Sequence, residues 1–271
     1  MATIVILEHR ISFGLPYMVY RLAERWQAAG HTVIVQRGVG TPPGDIAILH
    51  LDMTVVPEEY RALAARYPRV INGAVLDIGK STFSEVTLTR DSDWSGPVIV
   101  KTEANFGAQP EALLSMLAKE QGFRPIPAPD TVLFDYPLYQ SLGEVPEATW
   151  DTPGLMVEKF VPEHDERGYY LRIWTFFGER ERSSRYRAET PIIKSDDIID
   201  REEATVPEAI RAWREKLGFD YGKFDYVCAP DGTAILLDVN RTPAAPAKLT
   251  ELQKMNASLD SLAKGLDAFL A

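Results

Sequence analysis

The stretch from Phe219 to Pro243, FDYGKFDYVCAPDGTAILLDVNRTP, constrains this chain more than any other. An aromatic and β-branched run from Lys223 to Cys228 meets the turn residues Pro230, Asp231 and Gly232, and an apolar run from Ala234 to Val239 follows. That order predicts a β-hairpin. Side chains alternate across a strand, so Leu236, Asp238 and Asn240 are expected on one face. The apolar members of the return strand indicate burial, and a buried carboxylate is costly unless something positive compensates it. Asp225 places a second carboxylate on the partner strand, and the pair asks for a cation. Two carboxylates and an amide carbonyl suit a hard ion such as Mg²⁺. The alternative is that Asp238 and Asn240 cap a turn before Thr242-Pro243 while Asp225 is solvated on an edge strand.

Charge narrows the partners. The 271 residues carry a formal net charge of −10, which disfavours nucleic acid and anionic membranes. A polyanionic ligand would therefore need positive charge gathered locally. The single cysteine, Cys228, excludes an internal disulfide framework and multi-cysteine metal sites. No apolar run reaches the length of a membrane span, and ATIVIL is too short for a signal peptide, so the expected compartment is the cytoplasm.

Thr3 to Leu7 reads as a buried strand. Leu15, Met18, Val19, Leu22, Trp26 and Ala29 follow at helical spacing before Gly30, and His31 to Gln36 is a second strand. Asp45 to Leu51 and Val70 to Asn72 add two more strands around a helix over Pro57 to Tyr67. This is the pattern of a small doubly wound α/β domain ending near Gly79, in which ligands sit off the carboxyl ends of strands. His9, Arg10, His50 and Asp52 lie at such ends, where each reads either as a substrate contact or as an ordinary loop residue. No glycine fingerprint of a dinucleotide-binding turn is present, which argues against a dehydrogenase.

Beyond Asp77, Val98 to Val100 forms a strand that delivers Lys101. Pro110 to Gly122 is a helix with Leu113, Leu114, Met116 and Leu117 on its apolar side, and Thr131 to Phe134 and Leu155 to Val161 are strands. Tyr169 to Phe177 alternates as a strand and holds Arg172 among aromatics, where burial without an anion is expensive. Ile192 to Glu203 is expected as an exposed loop, Val206 to Leu217 as a helix, and Ala247 to Ala271 as a helix with Leu259, Leu262, Leu266 and Phe269 on one face.

Asp225, Asp238 thirteen residues later, Asn240 and the closing Pro243 resemble the metal-binding hairpin of the ATP-grasp superfamily. In layout the hairpin is nearest to glutathione synthetase, D-alanine:D-alanine ligase and the glutamate ligases that modify ribosomal proteins. The resemblance implies an α/β fold with α+β lobes: a pre-ATP-grasp domain over 1–79, a small lobe over 80–157 and a C-terminal lobe over 158–271, with ATP between the lobes. Asp225, Asp238 and Asn240 would hold Mg²⁺, or Mn²⁺ in its place; Asp238 stands where the family often has Glu. Lys80 and Lys101 match lysines that meet the phosphates, and Glu158-Lys159-Phe160-Val161 resembles the adenine hinge. A ribose carboxylate would come from Glu163, Asp165 or Glu166; Tyr170 replaces the aspartate that serves in some relatives.

Arg172 and Arg185, with Arg187 beside them, match arginines that meet the transferring phosphate or the tetrahedral intermediate. The segment TEANFGAQPE departs from the family, because it offers only Gly107 where the lid usually carries several glycines. The implied activity is ADP-forming ligation of a small-molecule carboxylate to an amine through an acyl phosphate. A kinase on the same fold and a non-catalytic nucleotide-binding protein are the alternatives. The acceptor pocket is expected between the first domain and the second lobe, with His50 and Arg241 as candidates. Neither nucleic acid nor membrane is an expected partner, and the oligomeric state, homodimer included, stays open.

Overall fold

Continuous burial along Ile4, Val5, Ile6 and Leu7 explains the first layer of the protein, seen in a computed structural model that describes residues 1–11, 14–246 and 249–270. Strands β1 (Thr3–Glu8), β2 (Thr32–Arg37), β3 (Ile46–Leu49) and β4 (Val70–Ile71) form a parallel sheet in the order β2-β1-β3-β4. Helix α1 (Met18–Ala28) covers the face of Ile4, Ile6, Ile46 and Ile48, and α2 (Glu58–Ala64) covers the face of Val5, Leu7, Ala47 and Leu49. Burial on both faces is why these strands are apolar throughout. Leu15 lies before α1 and is exposed, and Ala29 is exposed at its end, so the inner stripe is Met18, Val19, Leu22, Ala23 and Trp26.

A second, antiparallel sheet contains β5 (Thr87–Leu88), β6 (Val98–Thr102), β7 (Leu138–Tyr139) and β8 (Leu155–Lys159) in the order β5-β8-β6-β7. Helix α3 (Gln109–Glu120) follows β6. Its buried side is Pro110, Glu111, Leu114 and Ala118, whereas Leu113 and Met116 face outward, a rotation from the expected apolar side. Residues 131–134 are not a strand: the Leu133 amide donates to Gly107 O at 2.9 Å instead of joining a ladder. The short helix α4 (Glu147–Asp151) leads into β8.

The largest sheet orders β12 (Asp200–Glu203), β11 (Arg180–Ala188), β10 (Gly168–Phe177), β13 (Tyr221–Cys228) and β14 (Ala234–Asn240), with β9 (Glu163–Asp165) beside the start of β10. The segment over 192–203 is therefore not all loop. Its acidic end pairs with β11, where Glu202 meets Arg185 and Asp200 meets Arg187. Charge on such an edge blunts pairing with another chain. Helix α5 (Glu208–Leu217) packs Ile210 onto one sheet face with Trp174, Phe176, Phe224 and Tyr226. Helices α6 (Leu249–Ala263) and α7 (Asp267–Leu270) close the chain; Leu259, Leu262 and Leu266 pack on α1. The expected helix positions 247, 248 and 271 lie outside the described residues.

Two buried polar side chains tie the first sheet to the third. Asn72, at φ 61°, donates to Tyr221 O and accepts from the Asp220 and Tyr221 amides. Asparagine is among the few residues that tolerate that conformation. Arg241, fully buried, donates to the carbonyls of Leu51, Met53, Thr54 and Val75. Burial lowers its pKa to about 10, against the pull of Asp52, Asp77 and Glu111. Arg241 directly follows β14, so the end of the hairpin is fixed against the loops after β3.

Candidate active site

The hairpin forms as the turn residues require, and its register sets the site. Asp225 lies directly across from Asp238, and Lys223 across from Asn240. A bulge between Asp225 and Tyr226 pairs Tyr226 with Leu236, leaving Leu237 as the extra residue. That extra residue changes the parity of the return strand. Leu236 therefore turns into the aromatic core with Phe224 and Tyr226, rather than sharing a face with Asp238 and Asn240.

Three ion pairs gather on the carboxylate face. Lys223 Nζ meets Asp225 Oδ2 at 2.8 Å, Lys80 Nζ meets Asp238 Oδ1 at 3.7 Å, and Lys101 Nζ meets Glu158 Oε2 at 2.7 Å. Lys80 comes from the 3₁₀ turn after the first sheet, Lys101 and Glu158 from neighbouring strands β6 and β8, and the rest from the hairpin. Lys80, Lys101 and Glu158 are each at most 8% exposed, so their charges depend on one another. Burial pushes the Asp225 carboxyl above its usual range and Asp238 adds to the rise, while Lys223 opposes it. For Lys223, burial pulls the ammonium down, but Asp225 and Asp238 outweigh it and leave it raised. Tyr136, raised to about 12 by burial, also feels the charges of Asp238 and Glu158.

Two features bear on a metal. Asp225 Oδ1 is buried without a hydrogen-bond partner, and Asp238 is its cross-strand neighbour. A Mg²⁺ that arrives with a nucleotide takes one or two carboxylates from the protein and fills its remaining positions with phosphate and water. These two aspartates fit that demand. Asn240 is less available, because its Oδ1 accepts from the Thr242 amide at 2.7 Å and the Thr242 hydroxyl at 3.1 Å, a turn-capping arrangement. Among the described residues no three His, Cys, Asp or Glu side chains group as a self-sufficient metal site.

The hinge tetrapeptide divides between two environments. Glu158 points into the ion-pair cluster and also accepts from Ser84 Oγ at 2.5 Å. Lys159 leaves the opposite face of β8 and lies 5.0 Å over the Trp94 ring. It lines a cavity of about 480 Å³ with Phe83, Val86, Trp94, Val161 and Leu236. Phe160 continues the backbone, its amide bonded to Pro97 O at 2.9 Å.

Arg172 and Arg185 are not brought to the cluster. Ile173, not Arg172, pairs with Asp225, so Arg172 projects from the reverse face. Arg185 is its cross-strand partner on that face. A one-residue step in a strand is a change of side. There both arginines converge on Glu163, at 2.8 Å and 2.6 Å, and Glu163 also accepts the Cys228 amide at 2.9 Å. Burial would raise the Glu163 carboxyl, but Arg172, the Cys228 amide and Arg185 hold it below its usual range. Asp165 accepts from Tyr170, and Glu166 is exposed at the turn before β10.

Lys223 shares the face of Asp225, two residues away in the same strand. Arg182 and Tyr186 also occupy the carboxylate face, since their β10 partners Thr175 and Leu171 alternate with Arg172 in step with Ile173. The segment after β6 turns left-handed at Phe106, Gly107 and Ala108, with φ of 45°, 67° and 65°. A Cβ at Gly107 would stand 2.0 Å from Leu133 O, so glycine is required there.

Three solved structures align with the chain almost end to end. One is the D-cycloserine synthetase DcsG, at 15% identity and TM-score 0.57, covering 99% of this chain and 100% of the other. A second is the ATP-grasp ligase PsnB complexed with a phosphomimetic variant of its minimal precursor, Mg and ADP, at 11% identity and TM-score 0.60, covering 98% and 97%. The chain has the ATP-grasp fold. The macrocyclase MdnC from Microcystis aeruginosa MRC, bound with the precursor peptide MdnA, shares it at 11% identity and TM-score 0.57, covering 99% and 100%. No protein-family model matches the sequence, and no curated protein does. No helix among the described residues is long and apolar enough to cross a membrane.

Proposed function

We propose that the protein is an ATP- and Mg²⁺-dependent ligase that joins a carboxylate to an amine through an acyl phosphate. The observation that carries this reading is the convergence of Lys80 and Lys101 with the Asp225–Asp238 pair on one face. The three lysines and three carboxylates of the cluster balance one another in the absence of nucleotide. A triphosphate entering the cluster offers the lysines a stronger partner, and each lysine that turns to phosphate frees a carboxylate.

Asp225 and Asp238 would then hold Mg²⁺, with Asn240 contributing once Thr242 yields its carbonyl. When bound, Mg²⁺ neutralises charge on the phosphate oxygens. Lys80 and Lys101 would hold the phosphates in line, and Lys223 and Arg182 are further cations on the same face. The substrate carboxylate attacks the γ-phosphorus as ADP leaves; the amine then attacks the acyl carbon and phosphate departs. Such chemistry needs positioning and charge stabilisation more than a side-chain nucleophile. The 480 Å³ cavity beside Lys159 and Val161 is of a size that takes a purine, and it supports the hinge reading of Glu158 to Val161. The fold relatives include both a D-cycloserine synthetase and enzymes complexed with precursor peptides, and the acceptor is of either kind.

The test is Mg²⁺-dependent ADP release across a panel of carboxylates and amines, with hydroxylamine present to trap an acyl phosphate as its hydroxamate. A hydroxamate or amide product supports the ligase. A stable phosphorylated product without hydroxamate would replace it with a kinase, and nucleotide binding without turnover of any acceptor would point to a binding protein.

A further inference from the structure

A second group of ionisable side chains lies outside the nucleotide cluster, at the carboxyl ends of β1 and β3. Glu8, His9, Tyr17, His50 and Asp52 line a cavity of about 20 Å³, closed on its apolar side by Ile11 and Leu114. That volume holds one water-sized group. Glu8 is 5% exposed and His50 2% exposed. Burial pushes both the Glu8 and the Asp52 carboxyls up, although Tyr20 donates to Glu8 and Tyr17 donates to Asp52 at 2.7 Å. Among the described residues neither carboxylate has a buried cation of its own. Arg37 reaches Glu8 at 3.4 Å from a side chain that is more than half exposed, and Arg241 is committed to four carbonyls.

His50 supplies an independent sign of a missing partner. Its Nε2 is buried with no hydrogen bond, and its Nδ1 lies 3.9 Å from Glu8 Oε1, beyond hydrogen-bond reach. Burial lowers its pKa to about 3, so the ring is neutral at physiological pH. A neutral imidazole has one N–H and one acceptor nitrogen; the ring's hydrogen bond to its own backbone takes the proton on Nδ1, which leaves Nε2 as an acceptor without a donor. Two carboxyl walls and an idle acceptor around a one-atom space call for a small group that is positive and rich in N–H, whose charge would also offset the burial that pushes both carboxyls up. A guanidinium is too large for the space, and no three metal-ligand side chains close on one point among the described residues.

We propose that this cavity is the subsite for a primary ammonium group on one of the molecules to be joined. The substrate is therefore an amino compound, anchored by Glu8 and Asp52 and accepted by His50 Nε2. This deepens the ligase reading and rests on it for the placement of the substrate's other end. Thr242 Oγ1 bonds both Asp52 Oδ1, at 3.0 Å, and Asn240 Oδ1, at 3.1 Å, so one side chain separates the subsite from the hairpin. An ammonium held here directs the rest of a small molecule toward Asp238 and the phosphates.

The subsite is tested without nucleotide by thermal melting in methylammonium chloride against equal concentrations of tetramethylammonium and sodium chloride. Methylammonium raises the melting temperature and tetramethylammonium, too large for the cavity, does not. In Glu8→Gln and Asp52→Asn, which keep shape and the tyrosine bonds, the methylammonium response weakens by about 30-fold or more in concentration. Equal responses to all three salts in the wild type show that the cavity holds only water and overturn the proposal, whether or not the variants fold. In the ADP-release panel, an amino substrate outperforms its hydroxy analogue by at least about 100-fold in kcat/KM. ADP release indifferent to the amino group sinks the subsite and leaves the ligase standing. A selective methylammonium response with no turnover of any carboxylate sinks the ligase and leaves the subsite.

Discussion

The two faces of the hairpin sheet carry similar charges and do different things with them. On the reverse face Glu163 accepts from Arg172, Arg185 and the Cys228 amide, and both of its oxygens are taken. On the carboxylate face Asp225 keeps one oxygen with no partner, and Lys80 stands 3.7 Å from Asp238, longer than a hydrogen bond. Saturated charge holds a fold together, whereas charge with capacity left over is available to a ligand. The arginines looked like the stronger functional signal in the sequence. It is the lysine–aspartate face that retains unspent partners.

The comparison breaks at once if the wrong face is needed for turnover. Asp238→Ala is expected to cut Mg²⁺-dependent ADP release by about 10³-fold while the circular dichroism spectrum is kept; wild-type turnover would remove the hairpin from the reaction. On the other face Glu163→Gln leaves the half-buried Arg172 without its anion and Arg185 with Glu202 alone. It is expected to cost about 3 kcal/mol in urea unfolding and to leave the KM for ATP unchanged. A stable Glu163→Gln protein with failed nucleotide binding would reverse the roles assigned to the two faces.

Lys223 sharpens the contrast further. Its ammonium neutralises Asp225 before any metal arrives, so Lys223→Met is expected to bind Mn²⁺ without nucleotide at least about tenfold more tightly than the wild type, read by electron paramagnetic resonance of the free ion. Equal affinities would mean that Lys223 moves aside at no cost. The smallest effect is in the acid limb of stability. Glu163 is held below its unfolded pKa, so the folded state loses stability as pH falls from the ordinary carboxylate range through the depressed value. Asp225 is raised and has the opposite sign, its carboxylate being relieved on protonation. Melting curves from pH 6 to 3 should therefore show a flatter acid limb for Glu163→Gln and a steeper one for Asp225→Asn.

Much of this was legible in the chain, and the losses have physical causes. The hairpin, the parallel first sheet and the strand ending in Lys101 follow from local patterns, because turn chemistry and alternation act over a few residues. Which side Arg172 takes does not follow from its own strand. Strand pairing decides that, and pairing joins β10 to residues some fifty positions away. The bulge at Leu237 reverses parity midway along β14, and nothing in the run AILLDVN marks it. Clusters such as Glu8, His50 and Asp52 are harder still, since each residue alone is an ordinary loop or strand end. Lys223 is the avoidable omission: two residues from Asp225 in a strand, it had to share that face.

Arg241 carries a consequence for how this protein can be cut or recombined. Its guanidinium is solvated by carbonyls contributed from residues 51–54 and 75, between 166 and 190 positions earlier in the chain. A fragment beginning after residue 79 would keep the arginine and lose all four acceptors, and a chimera with a foreign first sheet would have to reproduce those loops to the ångström. The sequence is thus modular to read and not modular to exchange: the residue beside the hairpin has its solvation shell written in the loops of the first sheet.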